Sequence, residues 1–160
     1  MLMLPLAVVI ALTLLPFLEL RASIPYGILQ GGLPWWLVFL VAVLINIGLG
    51  PALYITLEKV IRMLCIIKPF ERFYHRVVER TQRKAAPYVH KYGPLGLALF
   101  IGVPLPGSGV YSGAIAAHVL GMTYKEFFVA VVCGVLIAAT AVTAITLSGM
   151  GVFSWAIKTL

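Results

Sequence analysis

Charge is what this chain has least of. Asp, Glu, Lys and Arg make up 11% of its 160 residues, and from Met1 to Leu57 the only charged side chains are Glu19 and Arg21. A soluble domain of this size is not built so poor in charge. With 62% hydrophobic residues and a mean hydropathy of +1.06, the chain reads as an integral membrane protein. Cysteine is nearly absent: Cys65 and Cys133 lie far apart without metal-ligand spacing, so neither a disulfide nor a metal centre is expected. No nucleophile is paired with a base and no phosphate-cradling motif occurs, which reads as a non-enzyme without cofactors. A secretory signal is not expected either. No basic segment precedes the first apolar run, which continues past signal-peptide length.

What charge there is falls in two places. Nine of the twelve Lys and Arg lie between Lys59 and Lys91. Under the positive-inside rule that block is the cytoplasmic side, a surface for lipid headgroups rather than for nucleic acid. The other place is the stretch Pro16 to Pro25, where Glu19 and Arg21 sit inside a long apolar run. A charge at the bilayer centre costs about 2.5–3.5 kcal/mol on insertion scales, so intramembrane charges mark functional sites. The bracketing prolines disfavour a straight helix, and a broken helix at membrane depth survives only where protein or a water-filled cavity satisfies its backbone. The stretch reads as the apex of a re-entrant hairpin; the plainer alternative is a short polar loop between two spans.

Met1 to Leu18 would form a helix of about 27 Å, short for a full span but ample for half a hairpin. Pro25 to Gln30 is the returning arm, with Pro25 as a first-turn proline. Trp35 and Trp36 suit an interfacial belt, and Leu37 to Leu57 is a transmembrane helix that Gly48, Gly50 and Pro51 should kink. Asn46 reads as an interhelical hydrogen-bond donor. Pro69 to His90 is amphipathic and suits a helix lying on an anionic leaflet. A second apolar run, Leu95 to Leu120, breaks at Gly102 to Gly109, and its return arm is Val110 to Leu120. Phe127 to Leu147 is the second full span, ended by Gly149 and Gly151. Its stripe Ala130, Gly134, Ala138 favours close packing, within or between subunits.

A shift of 89 residues superposes the layouts of the two halves: Ser23 falls on Ser112, Gly32 on Gly121, Trp35 on Tyr124 and Phe39 on Phe128. The fold class expected is therefore an all-α integral membrane protein, an inverted repeat of re-entrant hairpin plus transmembrane helix. Its single membrane domain divides into repeat 1 (1–58), a basic amphipathic connector (59–92) and repeat 2 (93–160). Paired broken segments in corresponding places point to a transporter binding site.

These residues resemble the small multidrug export protein family of short prokaryotic membrane proteins. The matching pieces are Leu15-Pro-Phe-Leu-Glu19-Leu-Arg21-Ala-Ser-Ile-Pro25 and Phe100-Ile-Gly-Val-Pro104-Leu-Pro106-Gly107-Ser-Gly109, with Tyr111-Ser-Gly113 following. The family is similar to the DedA/VTT superfamily, which implies two opposed re-entrant hairpins, residence in the cytoplasmic (inner) membrane and multi-pass topology. It also implies transport of a lipid phosphate such as polyprenyl phosphate, with proton coupling. Residues 95 to 120 contain no arginine, where DedA-like proteins are expected to carry essential ones, so an anion site must rest on Arg21 and backbone groups.

The substrate-binding set read from these stretches is Glu19, Arg21, Ser23, Pro25, Pro104, Pro106, Gly107, Ser108, Gly109 and Tyr111. A returning half-helix points its N-terminus into the cavity, where Ser23 or Ser108 can cap it and where an anion would be attracted. Three uses remain open: carriage of an amphipathic anion on Arg21, export of a small cationic drug with Glu19 as counter-ion and Tyr26, Tyr111 or Phe100 as aromatic wall, or a structural ion pair in an assembly protein. Partners are membrane lipids, an unidentified amphipathic substrate and a second copy of the chain in a dimer.

Overall fold

The structure is a computed structural model that describes residues 3–16, 18–64, 66, 92–103 and 108–158, with backbone alone for 62, 64 and 150–158. The described residues are helical, with no strand among them: α1 (Met3–Leu14), α2 (Glu19–Leu29), α3 (Trp35–Leu64), α4 (Tyr92–Gly102), α5 (Val110–Leu120) and α6 (Tyr124–Lys158). Among the described residues α3 and α6 alone are long and apolar enough to cross a membrane, over Trp35–Ile61 and Tyr124–Gly149. The amphipathic stretch 69–90 and Cys65 lie outside the described residues.

The first break comes one turn earlier than expected. Pro16 has no N–H to give to Leu12 and disfavours the α conformation at Leu15, so α1 ends at Leu14. Glu19 then opens α2, with its own N–H on the carbonyl of Leu15. Arg21 lies in the first turn, and Pro25 lies inside the helix rather than at its start, where it removes one helical donor to the carbonyl of Arg21.

The same order of short, short and long helices occurs twice. α4 starts 89 residues after α1 and α6 starts 89 residues after α3, while α5 starts 91 after α2. The glycines paired by the shift do the same work. Gly32 (φ +60°) and Gly121 (φ +69°) both take the left-handed conformation that ends a short arm and turns the chain into a long helix. Thr123 and Glu126 form a reciprocal cap at the start of α6, with the Thr123 N–H donating to the Glu126 carboxylate at 2.8 Å.

The long helices differ from their expected outlines. α3 extends from Trp35 to Leu64, and α6 continues through Gly149 and Gly151 to Lys158, since a glycine weakens a helix without removing its hydrogen bonds. Asn46 is fully buried but does not reach another helix; its Nδ2 donates to the carbonyl of Ala42, one turn back in α3, at 3.0 Å. The small-residue stripe is used within the chain. A Cβ on Gly134 would lie 2.7 Å from Ile101 Cβ and 2.8 Å from the Ala98 carbonyl oxygen, so α4 sits directly on α6. Ala130 and Ala138 are buried in the same seam. Gly27 plays this part in the first half, where a Cβ would meet Val38 and Val9 within 2.9 Å. At the opposite end of α5, Tyr54 stacks on the buried Phe127 and donates its hydroxyl to the Met122 carbonyl at 2.8 Å, tying α3 to the second turn.

Candidate functional site

The two breaks meet, and the charges of the first complete the helix ends of the second. A helix that starts in an apolar setting exposes its first amides and a positive dipole end. At the start of α5, Gly109 occupies the capping position with no side-chain cap of its own. The Glu19 carboxylate supplies it: Val110 N–H donates to Oε2 at 3.2 Å and Tyr111 N–H to Oε1 at 3.3 Å. The fit leaves no room for a side chain at Gly109, where a Cβ would lie 2.5 Å from both carboxylate oxygens. Glu19 itself is buried and held at φ +43°, a left-handed conformation that costs a non-glycine residue roughly 1–2 kcal/mol. The two amides that its carboxylate accepts offset that strain.

Arg21 serves the opposite end. Its Nη2 donates to the Val103 carbonyl at 3.2 Å, just past the C-terminus of α4, and to Ser108 Oγ at 2.8 Å. A cation at a helix C-terminus and an anion at a helix N-terminus are each the favourable sign. Ser108 Oγ also donates to the Val103 carbonyl, at 2.5 Å, and so closes the second break on itself. The Tyr111 hydroxyl reaches back to the Leu14 carbonyl at 2.6 Å, giving one of the last carbonyls of α1 a donor.

A cleft of about 240 Å³ opens beside these contacts, lined by Pro16, Glu19, Arg21, Ser108, Gly109, Tyr111, Ser112 and Ile115. Of the expected residues, Glu19, Arg21, Ser108, Gly109 and Tyr111 are brought together here. Ser23 is not a cap; it faces the core from the middle of α2, fully buried. Ser108 is not the side-chain cap of α5 either, because its hydroxyl is committed to Val103. Pro25 does not line the cleft, and Pro104, Pro106 and Gly107 lie outside the described residues. Of the proposed aromatic wall only Tyr111 borders the cleft, since Tyr26 packs against the core and Phe100 is an exposed α4 residue. Pro16, Ser112 and Ile115 were missed as lining residues. Ser112 carried a signal, because the 89-residue shift pairs it with Ser23 inside the motif.

A protein-family model matches residues 19 to 141, from the first charged residue of the cleft to well inside α6. That is more than half of the chain, so the protein belongs to the family, which is named provisionally for small multi-drug export. No match was found among curated proteins or among solved structures.

Proposed function

We propose that this member of the small multi-drug export protein family carries an amphipathic anion, a lipid phosphate such as polyprenyl phosphate, across the cytoplasmic membrane in a proton-coupled cycle. The family name and the two long apolar helices support transport in a membrane. One observation carries the choice of an anion. Arg21 is the more accessible charge of the cleft, while the buried Glu19 already gives both oxygens to α5. Drug-sized ligands fill pockets of about 300–1,000 Å³. At about 240 Å³ the cleft suits a headgroup, with the apolar tail left in lipid.

The experiment is binding of decyl phosphate and of decyltrimethylammonium to protein reconstituted in phosphatidylcholine vesicles. Decyl phosphate should bind the wild type, be lost in Arg21→Ala and be retained in Glu19→Gln. If Glu19→Gln instead abolishes binding of the ammonium ligand while Arg21→Ala does not, the protein is a cation exporter, the reading its family name favours. Unchanged binding and transport in both variants would leave a structural ion pair.

In this reading the breaks are apices of two opposed re-entrant hairpins, in a multi-pass inverted repeat whose residues 59–92 face the cytoplasm. Cysteines placed at residue 2 or 159 of a Cys-free variant should react with an impermeant reagent outside the cell. Labelling only from the cytoplasmic side would refute the inverted repeat. The reading includes a dimer. Because the Ala130–Gly134–Ala138 stripe is already filled by α4, the second copy would use another apolar face. Crosslinking in vesicles that yields monomer alone would refute the dimer.

A further inference from the structure

Among the described residues three buried side-chain oxygens have no hydrogen-bond partner, Thr143 Oγ1 on α6 and two that belong to fully buried residues, Ser23 Oγ on α2 and Asn46 Oδ1 on α3. Buried polar groups are seldom left unpaired, so each such atom asks for a cause. Ser23 stands one turn after Glu19 on the buried face of α2, the face that also carries Leu20, Ile24, Gly27 and Ile28. α2 and α3 are joined by a short turn, and Gly27 sets their register, since a Cβ there would lie 2.8 Å from Val38. Counting by turns from that contact puts Ser23 opposite Ala42 and Glu19 opposite Asn46. Helical side chains lean toward their own N-terminus. The Asn46 amide does so, its Nδ2 donating to the carbonyl of Ala42, the residue that the count places opposite Ser23. Gly50, one turn beyond Asn46 on the side away from Ala42, would have Val110 Cγ1 3.5 Å from its Cβ, and the N–H of Val110 is the one that reaches Glu19.

Donor counting shows what these oxygens lack. Ionised, Glu19 can only accept, and α5 uses both of its oxygens. Protonated, it gains one O–H donor and becomes a weaker acceptor for the two amides. We propose that Ser23 and Asn46 are the receiving site of protonated Glu19. A proton from cleft water adds to a carboxylate oxygen. The new O–H donates to Ser23 Oγ, the Ser23 hydroxyl donates to Asn46 Oδ1, and the amides of Val110 and Tyr111 become available to an anionic headgroup beside Arg21. One proton is taken up, and only hydrogen bonds are exchanged.

The headgroup half of this inference rests on the proposed transport of an anion; the relay half does not. Among the described residues, the charged or titratable groups facing Glu19 are Arg21 on its own helix and Tyr111 on α5. α1 has none, α3 has none from Trp35 to Leu53, and α4 has only Tyr92 at its far end. α6 brings Cys133 alone between Phe127 and Trp155, and His118 of α5 is at the other end of that helix, against Tyr54.

Asn46 is the one asparagine in the chain, so asparagine labelled with ¹³C at its side-chain carbonyl reports on it directly in the wild type. The experiment is infrared spectroscopy of the labelled protein in phosphatidylcholine vesicles, without ligand, across pH. On acidification the Asn46 carbonyl band should move to lower wavenumber together with the rise of the protonated-carboxyl band of Glu19, identified among the five glutamates as the one that Glu19→Gln removes. In Glu19→Gln the Asn46 band should no longer respond to pH. Ser23→Ala, which favours the helix, should also silence it. A Glu19 carboxyl that protonates while the Asn46 band stays fixed overturns the relay, and so does a Glu19 that never protonates down to the acid limit of folding. A second arm measures binding of decanesulfonate, whose charge is constant over this range. The wild type should bind more tightly as pH falls, and Ser23→Ala or Asn46→Leu should each remove about three- to tenfold of that gain, the size of one net hydrogen bond. An Asn46 band that responds without any acid-side gain in binding keeps the relay and overturns the anionic headgroup.

Discussion

The first hairpin brings both charges of the cleft, Glu19 and Arg21, whereas the second has no Asp, Glu, Lys or Arg from Tyr92 to Leu120 and brings helix ends instead. Neither is complete alone. The amides of Val110 and Tyr111 and the carbonyl of Val103 would be exposed dipole ends in an apolar setting, and the two charges would be solitary ions there. Brought together, each charge meets the helix end of opposite sign. Similar layouts thus need not mean similar chemistry, because the two halves divide a single site between side chain and backbone.

The sharpest way to break this comparison is to unseat the charge-free hairpin from its long helix. Gly134→Leu places a side chain against the Ala98 carbonyl, which cannot move without moving α4, so its cost should reach or exceed the top of the usual range of about 1–3 kcal/mol for overpacking. Thermal unfolding in mild detergent measures it. Gly27→Leu in the charged hairpin presses its Cβ on valine side chains rather than on backbone and should lose less. A larger loss there would reverse the ranking of the two halves.

Next in size is the junction itself. In Gly109→Ala the methyl occupies the place of the Glu19 carboxylate and should cost about 1.5–3 kcal/mol, the worth of hydrogen bonds to a charged group. Glu19→Ala should cost a similar amount by stranding two buried amides, and Glu19→Gln should recover part of it because one acceptor oxygen remains. Arg21→Ala should be milder, under about 1 kcal/mol, because Ser108 still donates to the Val103 carbonyl. The two charges would thus differ in kind, Glu19 holding the fold and Arg21 holding the ligand. Equal stability losses in the two alanine variants would erase that distinction. The smallest effect expected is that of Tyr54→Phe. It removes the hydroxyl from Met122 but keeps the ring on Phe127, for about 0.5–1.5 kcal/mol in the same unfolding assay.

Much of this was legible in the sequence. Composition alone requires apolar surroundings, because so few charged groups cannot cover a water-soluble surface. The order of short, short and long helices was readable twice over, and the second return arm was placed at Val110–Leu120, where it lies. Glu19, Arg21, Ser108, Gly109 and Tyr111 were legible as a site because charge and clustered glycine and proline are conspicuous inside an apolar run. The first break was placed too late because Pro16 and Pro25 look alike as letters. A helix carries the second but not the first, although each proline removes one donor and constrains the residue before it.

What only the tertiary structure decided is who answers whom. Sequence spacing relates residues along one helix, and Glu19 finds its partners 91 and 92 residues away. The sequence therefore could show that a helix end needs a cap and an acid needs a donor, while the packing of one hairpin on the other made them the same contact. The same holds for Ser23 and Asn46. Their identities are plain in the chain, but that each is fully buried with an oxygen unpaired follows only from the depth at which α2 and α3 meet.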